Sequence, residues 1–437
     1  MMILFKIFII WLLLQFFLHT FITFKLWIDN SIMSVIWSWK EIFVVIWALV
    51  ALYTIYKDKS RKRKDVIRYM FITLCILLVY ALVDTYMKWI SMVWFLKAWK
   101  YDFIGFMIFF IAYFLSSRVS LKKLETYTPW FTRVMKILLV RWIVWYMILF
   151  IKPGTLKLFW YDRLSIEGEV WQRPPAVYRT REFEWLPRNQ FIFERPISRW
   201  FFLTAFFPLF FVKFLHRKSL RKTWFWWAIY AFNIILTYSR AARGSWVIEL
   251  ALLWIISYRK HIWVFLKKVL IPAIIILAWV TWLAKDHVIN RQFSNTWHIQ
   301  LLKQWREYFT QNRLLWMGAW SVWPASHWVW WLNFNPENQF LQIAIEFGIV
   351  WFIGWMIIYV RYHLLWLNIL RKERKHKHFS AAAWDVIAMS IGILWLSISW
   401  LVLHSFTDRM IVYPFMLIFG IIYYIYKHTP HTEKGAK

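Results

Sequence analysis

"FVVIWALVALYTIYKDKSRKRKDVIRYMFITLCILLVYALVD", residues 43–84, sets two long apolar runs on either side of a dense basic cluster. A helix needs about 20 mostly apolar residues to cross the hydrocarbon core of a bilayer. Each run, with its flanks, meets that length, and the lysines and arginines between them have no place in lipid. The connection therefore turns at a membrane face. The same alternation repeats along the chain, and 61% of its 437 residues are hydrophobic, which excludes a string of ordinary soluble domains. About twelve spans are predicted on this length criterion. They lie near 3–24, 38–56, 69–84, 101–116, 137–151, 200–215, 224–239, 245–257, 262–283, 339–361, 384–403 and 411–426. The predicted fold class is all-α, a polytopic transmembrane helical bundle.

A formal net charge of +32 would point to nucleic acid in a soluble protein. Here the basic clusters at 57–68, 116–123, 216–222, 257–261 and 371–378 fall in alternate connections. Lysine and arginine collect on the cytoplasmic side of membrane proteins, so these connections are assigned there, with both termini cytoplasmic. No nucleic-acid partner is expected; membrane lipids are. The first apolar run is too long for a signal peptide and lacks a small-residue cleavage site, so it reads as a retained helix. The single cysteine, Cys75, lies in an apolar run and has no internal disulfide partner.

On this topology two long segments face outward, 152–199 and 284–337. Connections beyond about 12–15 residues are usually functional or disordered, and these are rich in Trp, Arg and Pro rather than Ser, Gly and Lys. Arg163, Arg173, Arg179, Arg181, Arg188, Arg195 and Arg199 lie in the first, and Arg291, Arg306 and Arg313 in the second. Singly, each reads as a solvated charge or a headgroup contact. Together they suit an anionic substrate, because the guanidinium fork matches phosphate oxygens in pairs.

Two motifs face the same side. In "LTYSRAARGSW", 236–246, Arg240 and Arg243 share a face if the turn is helical. Cations at the edge of hydrocarbon are costly, so the pair reads either as functional or as interfacial snorkelling. In "NPENQFLQIAIEFGIVW", 335–351, Asn338, Gln342 and Glu346 recur every four residues and form a polar stripe on an apolar helix. Binding and plain interhelical hydrogen bonding are both open for that stripe. No His, Asp or Glu set has metal-ligand spacing, and no cofactor is implied.

"TYSR" followed by a small-residue turn resembles the Ser-Arg signature of the O-antigen ligase and O-antigen polymerase superfamily of bacterial membrane glycosyltransferases. "NPENQFLQIAIEFGIVW" is similar to that family's His-Asn-x-x-Leu…Glu-x-Gly-x-x-Gly segment, which follows its large external loop. The resemblance covers roughly 224–425. It implies a GT-C-like helical fold in the bacterial inner membrane. The implied activity is metal-independent ligation or polymerisation of glycans from an undecaprenyl-pyrophosphate-linked donor onto a glycan or lipid acceptor. Arg240 would stabilise the leaving pyrophosphate, with Arg243, Arg291 and Arg306 as further anion contacts and Asn338, Gln342 and Glu346 as substrate contacts. Where the family carries a histidine before the Asn, this chain has Glu337. Replacement bases are Glu337 itself, His327 or His298.

The same comparison bears on the loop "LLWMGAWSVWPASHWVWWLNFNPENQF", 314–340, which sets six tryptophans among turn residues. Trp316, Trp320, Trp323 and Trp351 stand where the family has glycine. The chain has 37 Trp and 10 Gly, whereas about 7% Gly, roughly 30 residues, is usual. A gene whose UGA codons mean glycine, read with a table in which UGA means tryptophan, gives this pattern. The competing expectation is true enrichment, with indoles at membrane interfaces and on sugar rings.

The expected organisation is N-terminal transmembrane helices over 1–151, a first outer loop over 152–199 and central helices with the Ser-Arg motif over 200–283. A major outer loop over 284–337 and C-terminal helices with a short cytoplasmic tail over 338–437 complete it. The rival function is a multi-pass transporter or flippase of lipid-linked saccharides. That class needs coupling carboxylates near the midplane, for which Glu249 and Asp385 are the candidates.

Overall fold

The computed structural model describes residues 39–57, 66–87, 104–151, 196–215, 220–237, 240–257, 339–373, 379–399 and 409–429, with isolated positions in 3–10 and 300–307. Among the described residues there are helices and short turns and no strand. The helices are α1 (Trp39–Lys57), α2 (Val66–Met87), α3 (Ile104–Ser116), the short α4 (Leu121–Glu125) and α5 (Tyr127–Ile151). After the first long connection come α6 (Pro196–Leu215), α7 (Leu220–Ile235) and α8 (Arg240–Ser257). The second is followed by α9 (Gln339–Glu373), α10 (Ala381–Ser399) and α11 (Arg409–His428). All but α4 coincide with predicted spans. The predicted span 262–283 lies outside the described residues, as does most of 3–24.

Among the described residues four stretches are long and apolar enough to cross a membrane: Val66–Val83, Phe352–Glu373, Ala381–Ile398 and Ile411–His428. Shorter apolar helices occupy Val44–Lys57, Ile104–Ser116, Arg199–Val212, Phe225–Ile235 and Ser245–Ile256. The outer helices carry exposed apolar stripes at helical spacing. On α2 these are Tyr69, Ile72, Ile76, Val79 and Val83; on α5, Ile137, Val140, Val144 and Ile148; on α9, Ile353, Ile357, Val360 and Leu364. Contiguous exposed apolar surface of this extent would drive aggregation in water and marks an interaction surface. Lipid is the solvent that suits it, and several apolar helices of this kind make the chain a membrane protein.

Inside that ring lie α3, α6, α10 and α11. Every residue of α3 is buried, as is each residue from Arg199 to Val212 of α6. Their closest approaches are made at glycine. A Cβ on Gly392 of α10 would collide with the Ala205 carbonyl of α6, and one on Gly420 of α11 with the Phe109 carbonyl of α3. Small residues let helix backbones approach in membranes, where dispersion contacts replace the hydrophobic drive.

Ring pairs fix directions. Phe131 meets Phe206 at 4.8 Å and Trp142 meets Phe202 at 5.9 Å, so α5 and α6 run antiparallel. Phe207 with Tyr230 (5.1 Å) and Phe211 with Trp227 (4.9 Å) make α6 and α7 antiparallel as well. Phe109 with Phe419 (5.1 Å) and Tyr113 with Tyr424 (5.6 Å) make α3 and α11 parallel.

Candidate functional site

The first turn of α6 holds Arg199, which the sequence reading puts at the end of the first outer loop. The helix starts at Pro196, and Arg199 is 0% exposed. Its Nη2 donates a hydrogen bond to Asn233 Oδ1 on α7. The Asn233 amide nitrogen donates onward to Leu139 O of α5 at 3.1 Å and to Ile229 O at 2.9 Å. Both amide hydrogens and the amide oxygen are thereby used, which fixes the amide orientation and ties three helices together. The guanidinium also lies over the Trp142 ring, 4.8 Å from its centroid, a cation–π contact that gains strength when desolvated.

One turn deeper, the Tyr230 hydroxyl donates to Leu203 O of α6. Tyr230 lies within electrostatic reach of both Arg199 and Glu249. Glu249 of α8 is 0% exposed, and neither carboxylate oxygen has a hydrogen-bond partner among the described residues. It stands nine residues after Arg240, roughly 13 Å along the axis at a rise of 1.5 Å per residue. The result is a polar column, Arg199–Asn233–Tyr230–Glu249, running inward from the ends of α6, α7 and α8.

Arg240 is the first residue of α8, and Arg243 follows one turn later. Asn233 near the end of α7 holds Arg199 and α8 begins shortly after α7 ends, so the three arginines lie at one end of the α6–α8 group. Gln342 and Glu346 lie in the opening turns of α9. Glu337, His327, His298, Asn338, Arg291 and Arg306 lie outside the described residues.

A second polar group joins α9 to α10. Ser397 Oγ donates to Ile393 O at 2.6 Å and lies 3.3 Å from His363 Nε2. The Tyr359 ring meets the His363 ring edge-on at 4.6 Å. Among the described residues there is no group of three His, Cys, Asp or Glu that could hold a metal ion.

Sequence reading passed over Asn233, Tyr230, Trp142, His363 and Ser397. Asn233 in "AFNIILTY" and His363 in "YVRYHLLW" were visible as lone polar residues in apolar runs, but their partners are 34 to 94 residues away. No family model, curated protein or solved structure matches the chain.

Proposed function

We propose that this chain is a metal-independent glycosyltransferase of the O-antigen ligase and polymerase kind, with about twelve spans and a GT-C-like fold. It would sit in the bacterial inner membrane with both termini cytoplasmic. Its donor is a glycan on undecaprenyl pyrophosphate, and its acceptor a glycan or lipid hydroxyl at the outer face. The observation that carries this reading is the grouping of Arg199, Arg240 and Arg243 at one end of the packed helices α6 and α8.

The parallel packing of α3 and α11 fits this span count. Parallel α3 and α11 require an odd number of crossings between them. On this reading each of α5 to α10 crosses once, which makes six, with α4 left aside as too short to cross. One more crossing restores the parity, and the apolar run 262–283 provides it.

In the reaction the acceptor oxygen attacks the anomeric carbon, and the bond from that carbon to the pyrophosphate oxygen breaks. The hydroxyl proton goes to a base, Glu337 or His327, and the lipid pyrophosphate leaves with its added negative charge. Positioned guanidinium groups stabilise charge as it develops on the leaving group, an effect worth about 10²–10³ in kcat per donor. Arg240 has that role, and Arg243, Arg291 and Arg306 hold the donor. Asn338, Gln342 and Glu346 orient the sugar. A donor activated by pyrophosphate needs no metal for this step.

The test is glycan transfer in proteoliposomes by Arg240→Ala and Glu337→Gln variants. Loss of transfer with retained donor binding in Glu337→Gln supports the assignment, and full activity in both variants removes the site. A flippase of lipid-linked saccharides is the second reading, and the buried Glu249 carboxyl on α8 favours it. Donor translocation without any new glycosidic bond would decide for it.

A further inference from the structure

The last turns of α1, α3, α9 and α11 come together with the short α4 at one end of the bundle, and side-chain contacts fix that level. Arg118, just past α3, donates to Thr54 Oγ1 of α1 from Nε at 3.1 Å and from Nη2 at 3.0 Å. Tyr113 of α3 meets Tyr424 of α11 at 5.6 Å, and Lys427 Nζ stands 5.6 Å over the Tyr113 ring. Lys372 Nζ of α9 stands 5.9 Å over the Tyr426 ring, whose hydroxyl donates to Glu373 Oε1 at 3.4 Å. α4 packs against α11 and buries Leu124, while Lys122 and Lys123 stay exposed.

Lys57, Arg118, Lys122, Lys123, Lys372 and Lys427 are all exposed at this end. The carboxylates described at the same level are Glu125, which is exposed, and Glu373, which is buried and accepts from Tyr426. One exposed carboxylate does not neutralise such a group, and like charges drawn together by packing repel. Several of these cations are held in place. Arg118 spends two of its five N–H donors on Thr54, which fixes its guanidinium. The rings of Tyr113 and Tyr426 hold two of the lysines by cation–π attraction. Cations set in advance lose less freedom when an anion arrives. The level itself says which anion. Tyr53 and Tyr56 of α1 are exposed beside Lys57, and tyrosine collects at the headgroup layer of a bilayer. Basic pockets between spans in that layer receive anionic lipid headgroups.

We propose that the ends of α1, α3, α9 and α11, together with α4, form a binding surface for the phosphate headgroups of anionic phospholipids. Arg118, Lys122 and Lys123 serve it from the α3–α4 corner, and Lys372 and Lys427 from α9 and α11. The guanidinium pairs with phosphate oxygens through its remaining N–H groups, and the lysines act as point charges. The lipid is then a counterion that relieves repulsion between helix ends, so its binding stabilises the bundle. The surface is the same whether the chain transfers glycans or moves them. Only its assignment to the cytoplasmic leaflet rests on the topology of the proposed function.

The test titrates the full-length protein, in a neutral detergent, with dioleoylphosphatidylglycerol and reads thermal unfolding and lipid retained in native mass spectra. Phosphatidylglycerol should raise the unfolding temperature. It should also be retained in preference to dioleoylphosphatidylcholine, which has the same chains and no net charge. Each cation near an anionic lipid surface contributes about fivefold in affinity. The Lys122→Gln, Lys123→Gln double variant should therefore bind phosphatidylglycerol about 25-fold more weakly, with its unfolding in phosphatidylcholine unchanged. Lys372→Gln should weaken binding about fivefold and carries the test if the double variant does not fold. Equal retention of the two lipids, or a double variant that binds phosphatidylglycerol as the wild type does, overturns the inference. Displacement of phosphatidylglycerol by inorganic phosphate at equal concentration would mark a free-phosphate site and overturn it as well.

Discussion

Arg199 of α6 and Asn233 of α7 form a buried hydrogen bond near the ends of their helices, and the Asn233 amide spends its remaining protons on carbonyls of α5 and α7. The amide bond to Leu139 O ties this pair to α5, on the other side of the long connection 152–195. Removing the acceptor leaves a buried guanidinium short of one partner. A hydrogen bond to a charged group is worth about 1.5–3 kcal/mol. Asn233→Leu should therefore lower the stability of the detergent-solubilised protein by about that much, read from its thermal unfolding. An Arg199→Met, Asn233→Leu double variant should recover part of the loss, because both halves of the pair are then apolar. An additive double variant would show that the two residues act separately.

The glycine contacts give a graded series. Gly392→Ala drives a methyl group into the Ala205 carbonyl, and Gly420→Ala drives one into the Phe109 carbonyl. Backbone cannot step aside as a side chain can, so each should cost about 1–3 kcal/mol. Gly354→Ala meets only the Leu77 methyl tips, at 2.9 Å and 3.3 Å, and a small rotation of Leu77 relieves it. The expected order of thermal stability is wild type and Gly354→Ala above Gly392→Ala and Gly420→Ala. The reverse order would mean that α6–α10 and α3–α11 are not the closest crossings.

The His363–Ser397 contact offers a third check. Ser397→Ala removes the hydroxyl that contacts His363 Nε2 and should cost about 1 kcal/mol. If the pair only joins α9 to α10, donor turnover falls no further than stability explains. A loss of turnover at full occupancy of folded protein would place His363 in the reaction instead.

Helix positions among the described residues were legible from the sequence because lipid imposes a long apolar run on each crossing. α9 is the instructive exception. "QFLQIAIEFGIVWFIGWMIIYV" reads as one unbroken apolar helix, and nothing in its periodicity shows that Phe340 returns to Tyr359. Periodicity reports which residues share a face of a straight helix, whereas the contact of Phe340 with Tyr359 joins turns far apart in sequence. Arg199 was misjudged for a related reason. Its position beside a charged connection suggested solvent, while its burial depends on Asn233 and Trp142, which only the assembled helices bring near.

The tryptophan excess makes a separate prediction. Buried indole N–H groups usually find an acceptor, yet those of Trp200 and Trp246 have none among the described residues. Glycine at these positions would remove the discrepancy. The gene should then carry UGA at 200, 246, 316, 320, 323 and 351, and peptide mass spectra of the native protein should show glycine there. UGG codons, or tryptophan in those peptides, would establish the indoles as genuine and restore aromatic stacking as a role for the 314–340 loop.

The central claim is that a new glycosidic bond forms at the outer face as pyrophosphate leaves the donor sugar. Its most direct measurement supplies the purified protein, in vesicles free of divalent metal, with a radiolabelled polyprenyl-pyrophosphate glycan and a panel of glycan and lipid acceptors. Label moving to an acceptor, with stoichiometric release of polyprenyl pyrophosphate, is the predicted result. Donor that crosses the bilayer with its pyrophosphate–sugar bond intact would contradict it.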